Sequence, residues 1–358
     1  MNKILILGGT GAMGAHLVSI LENTENQVFV TTRKQRANRN NITYVQGNAH
    51  DDSFIRPLLQ DGFDVVVDFM VYNTEEFKTR AKLMIDSCKQ YVYLSSSRVY
   101  SDNNEVITED TSRLLDVCKD EDYLSTDEYA LTKARQENIL RESGKNNWTI
   151  IRPYITYSEI RLQLGVNEKE TWLYRALHGH TIVFSDDIAK NYTTLTYGYD
   201  VSRGIAAIIG KPEAYGEAFH ITQSKPMKWS EILDLYTSVI EEKTGCKPKV
   251  LMRKQSPNLA IGKWQVMYDR WYNRRFDSKK INSFISTDSF LKPEEGLKKC
   301  LQAFIDNPQY NGINWALEAQ YDRWTGECYL PFRDHQTWKQ CIKYYLYRFV
   351  INTSKRYL

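Results

Sequence analysis

The apolar and polar positions change period along the chain, and the changes mark out elements. Ile4-Leu5-Ile6-Leu7 is an unbroken aliphatic run, the pattern of a strand buried on both faces. Gly8-Gly9-Thr10-Gly11-Ala12-Met13-Gly14 follows, and across residues 15–21 apolar positions recur at helical spacing (Leu17, Ile20, Leu21). Short apolar runs predict further strands at residues 27–32, 42–45, 64–69 and 91–94, with a helical pattern over 75–88. Strands alternating with helices in this way predict an α/β fold, a Rossmann-type doubly wound parallel sheet. Ser125 and Glu128 fit a capping box that opens one more helix, placing Tyr129 and Lys133 four residues apart on one face.

From about residue 158 the alternation fades. Residues 168–177 and 229–242 read as amphipathic helices, and aromatic residues become dense towards the end: Trp315, Tyr321, Trp324, Tyr329, Phe332, Trp338, Tyr344, Tyr345 and Tyr347. Residues 338–350 carry apolar side chains at helical spacing (Trp338, Cys341, Ile342, Tyr345, Phe349), with Lys339, Lys343 and Arg348 interspersed. Such a helix packs on its own protein or on a second subunit, or lies on a membrane surface.

Composition narrows the classes. The chain has 358 residues, long enough for two packed domains, and 47 Lys and Arg against 44 Asp and Glu leave a net charge of only +3. That balance points to no nucleic-acid partner. The cysteines at 88, 118, 246, 300, 328 and 341 show no metal-binding spacing and suit reduced thiols, an expectation of a cytoplasmic protein. His180 and His335 have no companion ligands nearby in sequence and read as structural or solvated, so no metal site is expected. No apolar run reaches membrane-spanning length, and no signal segment precedes the first strand.

Candidate chemistry begins at the glycine turn. Gly8, Gly11 and Gly14, with Thr10, Ala12 and Met13 between them, stand where a strand passes into a helix, the context in which backbone N–H groups and a helix N-terminus meet a pyrophosphate. At the end of the second strand Thr32 occupies the place of the acid that holds a ribose 2′-OH, and Arg33 follows, which favours NADP over NAD; the bland alternative is a solvated basic loop. Asn48, directly after Gly47, is a polar residue placed to meet an adenine amino group. Further on, a tyrosine titrates near pH 10, and an ammonium one helical turn away favours its phenolate. Tyr129 as proton donor and acceptor, Lys133 as its activator and ribose ligand, and a serine from Ser95-Ser96-Ser97 at the end of the preceding strand make a proton-transfer set that a nicotinamide hydride carrier requires.

Taken together, Gly8-x-x-Gly11-x-x-Gly14, Ser95-Ser96-Ser97-Arg98-Val99-Tyr100, Tyr129-Ala130-Leu131-Thr132-Lys133 and Ile151-Arg152-Pro153 resemble the extended short-chain dehydrogenase/reductase superfamily, in its NAD(P)-dependent sugar-nucleotide epimerase/dehydratase group. The resemblance covers about residues 1–305, with weaker matches at 197–201 and 217–222. It implies Ser96, Tyr129 and Lys133 as catalytic residues, adds Ala49 and Phe69 to the cofactor contacts, and sets Ser97 and Tyr154 beside the substrate. It also implies a domain order: a cofactor domain over 1–157 with a returning segment near 195–225, a smaller substrate lobe over 158–306, and an extension over 307–358. Several positions depart from the pattern. Ser-Ser-Ser-Arg replaces the Thr-Asp-Glu of sugar dehydratases, which disfavours water elimination. Tyr154-Ile155-Thr156 replaces the epimerases' asparagine, Thr193 their pyrophosphate arginine, and Asn48 a usual aspartate. Arg270, in a basic cluster with Arg274 and Arg275, either substitutes for that arginine or belongs to a solvated surface.

The resulting expectation is an epimerase or ketoreductase acting on a nucleotide sugar, with a homodimer by analogy. The alternatives are an NADPH-dependent reductase of a non-nucleotide ketone or aldehyde, and a non-catalytic nucleotide- or RNA-binding Rossmann protein.

Overall fold

Seven strands, all parallel, form the central sheet of the computed structural model, which describes residues 1–103, 105–328 and 337–351. Tyr329, Phe332 and His335 lie outside the described residues. In chain order the elements are β1 (Lys3–Leu7), α1 (Ala12–Leu21), β2 (Gln27–Thr32), β3 (Ile42–Gln46), α2 (Asp52–Leu59), β4 (Phe63–Asp68), α3 (Thr74–Ser87), β5 (Cys88–Leu94), α4 (Tyr129–Arg141), β6 (Trp148–Pro153), α5 (Gly198–Ile208) and β7 (Glu217–Ile221). The spatial order is β7-β6-β5-β4-β1-β2-β3, so the winding reverses between β1 and β4. Ligands of open α/β sheets bind outside the strand ends at such a reversal.

The aliphatic strands explain themselves by burial on both faces. Alternate residues feed two apolar layers: Ile4 and Ile6 pack with Leu17 and Val18 of α1 and with Val201 and Ile205 of α5. Leu5 and Leu7 face the other way, with Phe77 and Met84 of α3. Register places Leu7 opposite Asp68 and Asp68 opposite Tyr93, so the loops after β1, β4 and β5 leave the same edge of the sheet.

The chain divides into two compact units. Unit 1 comprises residues 1–156, 194–226 and 274–293, and unit 2 comprises 157–193, 227–273 and 294–358. Residues 274–293 therefore join the cofactor unit, where residues 158–306 were expected to form the substrate lobe. The tie is visible locally: Ile107 N–H donates to the Arg275 carbonyl and Asp277 N–H to the Ile107 carbonyl, each at 2.8 Å.

Unit 2 contains α6 (Trp229–Thr244), α7 (Pro293–Asp306), α8 (Trp315–Thr325) and α9 (Trp338–Tyr345), with short two-stranded pairings before and after α6. The helix expected over 168–177 is only Trp172–Leu177, because Asn167 and Glu168 pair with Gln163 and Leu164 as a small hairpin. Past Tyr345 the last helix widens to π geometry over Leu346–Val350. Among the described residues no helix is long and apolar enough to cross a membrane.

Candidate active site

The glycine turn is built as its chemistry demands. Gly8 sits at φ +71°, a left-handed conformation that favours glycine, and its carbonyl accepts the Gly11 N–H at 3.0 Å. A Cβ on Gly14 would lie 2.7 Å from the Gly9 Cα and 2.8 Å from the Gly8 oxygen, so only a residue without a side chain lets α1 approach the turn this closely. Gly11 precedes α1 without a side-chain cap, leaving the first helical amides for a ligand. Ala12 opens the helix, and Met13 packs on the core with its carbonyl accepting the Ser202 hydroxyl at 2.9 Å.

Beside the turn lies a cavity of about 400 Å³, lined by Gly8, Thr10, Gly11, Thr31, Thr32, Arg33, Gly47, Asn48, Ala49, His50 and Met70. Seven of the sequence-derived cofactor residues thus meet in one space: Gly8, Thr10, Gly11, Thr32, Arg33, Asn48 and Ala49. Ala12, Met13, Gly14, Phe69 and Lys133 do not line it; Phe69 packs against the core instead. Thr31, Gly47, His50 and Met70 were missed, although each adjoins a residue or strand end that the pattern did mark. Among the described residues no carboxylate lines the cavity. The Thr32 hydroxyl turns onto its own loop, donating to the Lys34 carbonyl at 2.9 Å, while Arg33 is exposed. The glycine cradle and the uncapped helix fit a dinucleotide.

At the ends of β5 and α4 lies a second constellation. The three serines separate cleanly. Ser95 donates to Glu137 at 2.6 Å and Ser97 to the Arg152 carbonyl at 2.7 Å, both buried. Ser97, expected at the substrate, therefore has its hydroxyl committed to the backbone of β6. Ser96 accepts the Arg98 N–H at 3.2 Å, a contact that uses its oxygen and leaves its proton to donate.

Tyr129 is the first residue of α4 and is 42% exposed, against 3% for Lys133. The cap differs from the expected box: Glu128, not Ser125, stands at the N-cap and accepts the Ala130 N–H at 2.8 Å. Ser125 ends a preceding short helix, where its hydroxyl bonds the Asp122 carbonyl. Two cations face the Tyr129 ring, the Lys133 Nζ at 5.9 Å and the Arg98 guanidinium at 5.5 Å from its centre. Arg98 is itself paired with Glu128 at 2.5 Å.

Lys133 is held from below. Its Nζ donates to the Leu94 carbonyl at 2.7 Å and to the Tyr93 hydroxyl at 3.1 Å, and Tyr93 in turn donates to Gln136. Burial pushes the Lys133 ammonium down to about 8, opposed by the charges of Asp68 and Glu137, so at neutral pH it stays mostly charged. Asp68 is itself buried under Tyr72 and Tyr91, whose hydroxyls donate at 3.1 and 2.9 Å, and burial pushes its carboxyl up. Tyr93 and Gln136 escaped the sequence reading, since both are ordinary core positions of a strand and a helix.

Arg270, Tyr154 and His180 also find their places. Arg270 is 1% exposed in unit 2, its guanidinium on the Gly165 carbonyl, Gln163 and Asp269, so it is not presented to a phosphate. Tyr154 is buried with its ring 5.4 Å from that of Phe276. His180 is not isolated either: Asp322 and Glu327 stand beside it, with ligand atoms within 4.8 Å of one another. The Arg175 guanidinium already bonds both carboxylates, at 2.9 and 3.0 Å, so the cluster is an ion-pair network.

Comparison with known proteins bears on the family and the fold. The model of the NAD dependent epimerase/dehydratase family matches residues 4–222. Among curated proteins, the chloroplast stem-loop binding protein of 41 kDa b from Arabidopsis thaliana is 28% identical over 240 residues, covering 63% of this chain and 59% of that protein. The chain thus matches a little over half the length of that relative. The fold is shared with a UDP-glucuronic acid 4-epimerase from Bacillus cereus, solved with UDP-glucuronic acid and NAD, at 18% identity and a TM-score of 0.62, covering 85% of this chain and 99% of the other. It is shared equally with epimerase Mth375 from Methanothermobacter thermautotrophicus, at 18% identity and a TM-score of 0.63 over 86% and 93% of the two chains.

Proposed function

Since the chain belongs to the NAD dependent epimerase/dehydratase family, we propose that it catalyses hydride transfer at a ring carbon of a nucleotide sugar, as an epimerase or a ketoreductase. The observation that carries the reading is the joint placement of Ser96, an exposed Tyr129 and a buried Lys133 at the strand edge served by the glycine turn. A bound nicotinamide supplies or accepts the hydride; the protein handles the proton.

Tyr129 passes the proton to or from the substrate oxygen, and Ser96 donates a hydrogen bond to that same oxygen. The Lys133 ammonium and the Arg98 guanidinium stand over the Tyr129 ring, where positive charge stabilises negative charge developing on the phenol oxygen as the proton moves. The Arg98 position carries an acid in the dehydratases the motif resembles, which supports redox chemistry over water elimination. The absence of a carboxylate from the cavity, with Arg33 on its wall, supports NADP as the preferred cofactor.

Replacing Tyr129 with Phe tests the role directly. Turnover should fall by about 10²–10⁴, with cofactor affinity, read by fluorescence titration with NADPH and NADH, nearly unchanged. Normal turnover in Tyr129→Phe defeats the proton-transfer role. One observation favours a second reading, because the curated relative is named as a stem-loop binding protein. A purified chain that shifts a stem-loop RNA and shows no cofactor-dependent turnover supports that reading instead.

A further inference from the structure

The last described stretch of unit 2 has two unlike faces. Cys341 and Tyr344 of α9 are buried, and Tyr344 packs with Trp315 and Ala319 of α8 and with Tyr174. The end of the stretch is pinned: Arg323 donates to the Tyr347 and Arg348 carbonyls, and Arg348 to the Glu327 carbonyl. The side chains of the other face are exposed. Trp338 is 67% exposed, Ile342 50%, Leu346 42%, Phe349 61% and Val350 72%. At intervals of three and four residues these side chains form one apolar stripe, where a surface helix ordinarily shows polar groups.

Charge says what covers it. Lys339 and Lys343 stand exposed beside the stripe. From Thr337 to Leu358 the sequence has no Asp or Glu, and its charged residues are Lys339, Lys343, Arg348, Lys355 and Arg356. A second copy seated by two-fold symmetry would bring these lysines against themselves, with no acid from the segment to meet them. A nucleic acid could stack on Trp338 and Phe349, but the aliphatic Ile342, Leu346 and Val350 that make up the rest of the stripe offer it no aromatic face. A bilayer surface satisfies both parts, because its acyl boundary takes the apolar stripe and anionic headgroups take the lysines. We propose that the face of Trp338, Ile342, Leu346 and Phe349, rimmed by Lys339 and Lys343, docks this protein in the plane of an anionic lipid surface without crossing it.

Flotation of the full chain with phosphatidylcholine vesicles, with and without phosphatidylserine, tests this. Anionic lipid should raise the bound fraction about tenfold, an effect lost on raising the salt. The double variant Lys339→Glu, Lys343→Glu should lose the preference for phosphatidylserine. The double variant Ile342→Ser, Phe349→Ser should stay unbound by either vesicle, with an unchanged melting temperature, since both side chains are exposed. The proposal is overturned if the wild type does not float with anionic vesicles, or if the serine variant floats as well as the wild type. It is equally overturned if the serine variant's defect is loss of a dimer in sedimentation, or loss of binding to an RNA, with no vesicle binding to lose.

Discussion

Each unit buries a network of arginine and carboxylate side chains, and these two networks are opposite in stoichiometry. In unit 1, Glu137 receives two bonds from Arg152, at 2.8 and 2.6 Å, a third from Arg113 at 3.3 Å and a fourth from Ser95. One carboxylate is served by two guanidiniums. In unit 2, among the described residues, one guanidinium, that of Arg175, reaches Glu318, Asp322 and Glu327, at 2.9, 2.9 and 3.0 Å. One guanidinium is shared by three carboxylates. Burial pushes both Glu137 and Glu318 up, but their outcomes diverge. Arg152 and its hydrogen bonds outweigh burial and hold Glu137 below the ordinary carboxylate range. For Glu318, burial outweighs what Arg175 offers, the Asp322 charge adds to it, and the carboxyl is pushed up to about 7. The lesson is that a buried ion pair is defined by the count of charges around it, not by its shortest distance.

The largest effect should come from removing the shared cation. Arg175→Met strands buried acids that no second arginine among the described residues contacts, and should destabilise unit 2 by about 3–5 kcal/mol at pH 8. The loss should shrink at pH 6, where Glu318 takes up a proton instead. Arg152→Met should cost less, about 3 kcal/mol, because Arg113 remains on Glu137, and the cost should not shrink between pH 8 and 6. Urea unfolding of both variants at the two pH values checks this. Equal pH responses would erase the distinction.

A smaller effect isolates Glu318. Its folded pKa lies above the ordinary value of 4.5, so the folded state binds the proton more readily, and stability declines as pH rises from about 4.5 to about 7. The decline amounts to up to about 3 kcal/mol. For Glu137 the sign is reversed: its contribution is complete above the unfolded value and is lost as pH falls below it. Glu318→Gln should flatten the slope between pH 5 and 7, read as amide exchange of Trp315–Thr325 against pH. An unchanged slope would mean that the proton resides elsewhere in the cluster.

What was legible in the sequence follows the range of the interactions. The glycine turn, the Tyr129–Lys133 spacing and the strand–helix alternation rest on contacts within a few residues or on strict periodicity, and all could be read in advance. The capping box was misplaced because Ser125 and Glu128 both suit an N-cap, and a preceding short helix claimed the serine. Arg175 and Asp322 are 147 residues apart, and no local pattern joins them, so His180 read as solitary and the tail as an appendage. Arg270 looked like a ligand for phosphate because charge is visible in a sequence and burial is not.

The smallest effect separates Ser95 from Ser96, and it bears on the site itself. Ser95 and Ser96 are neighbours of one chemistry, yet Ser95 serves Glu137 and Ser96 does not. Ser95→Ala removes a hydroxyl bonded to a buried carboxylate and should cost about 1.5–3 kcal/mol of stability, with turnover per folded molecule retained, since Glu137 keeps both arginines. Ser96→Ala removes only the cap of one 3₁₀ turn, so stability should drop by about 1 kcal/mol or less, while turnover falls far more. Melting curves and initial rates on the same two preparations compare them. A dead but stable Ser95→Ala, beside an active Ser96→Ala, would move the catalytic hydroxyl one residue back and show that β5 ends differently when substrate is bound.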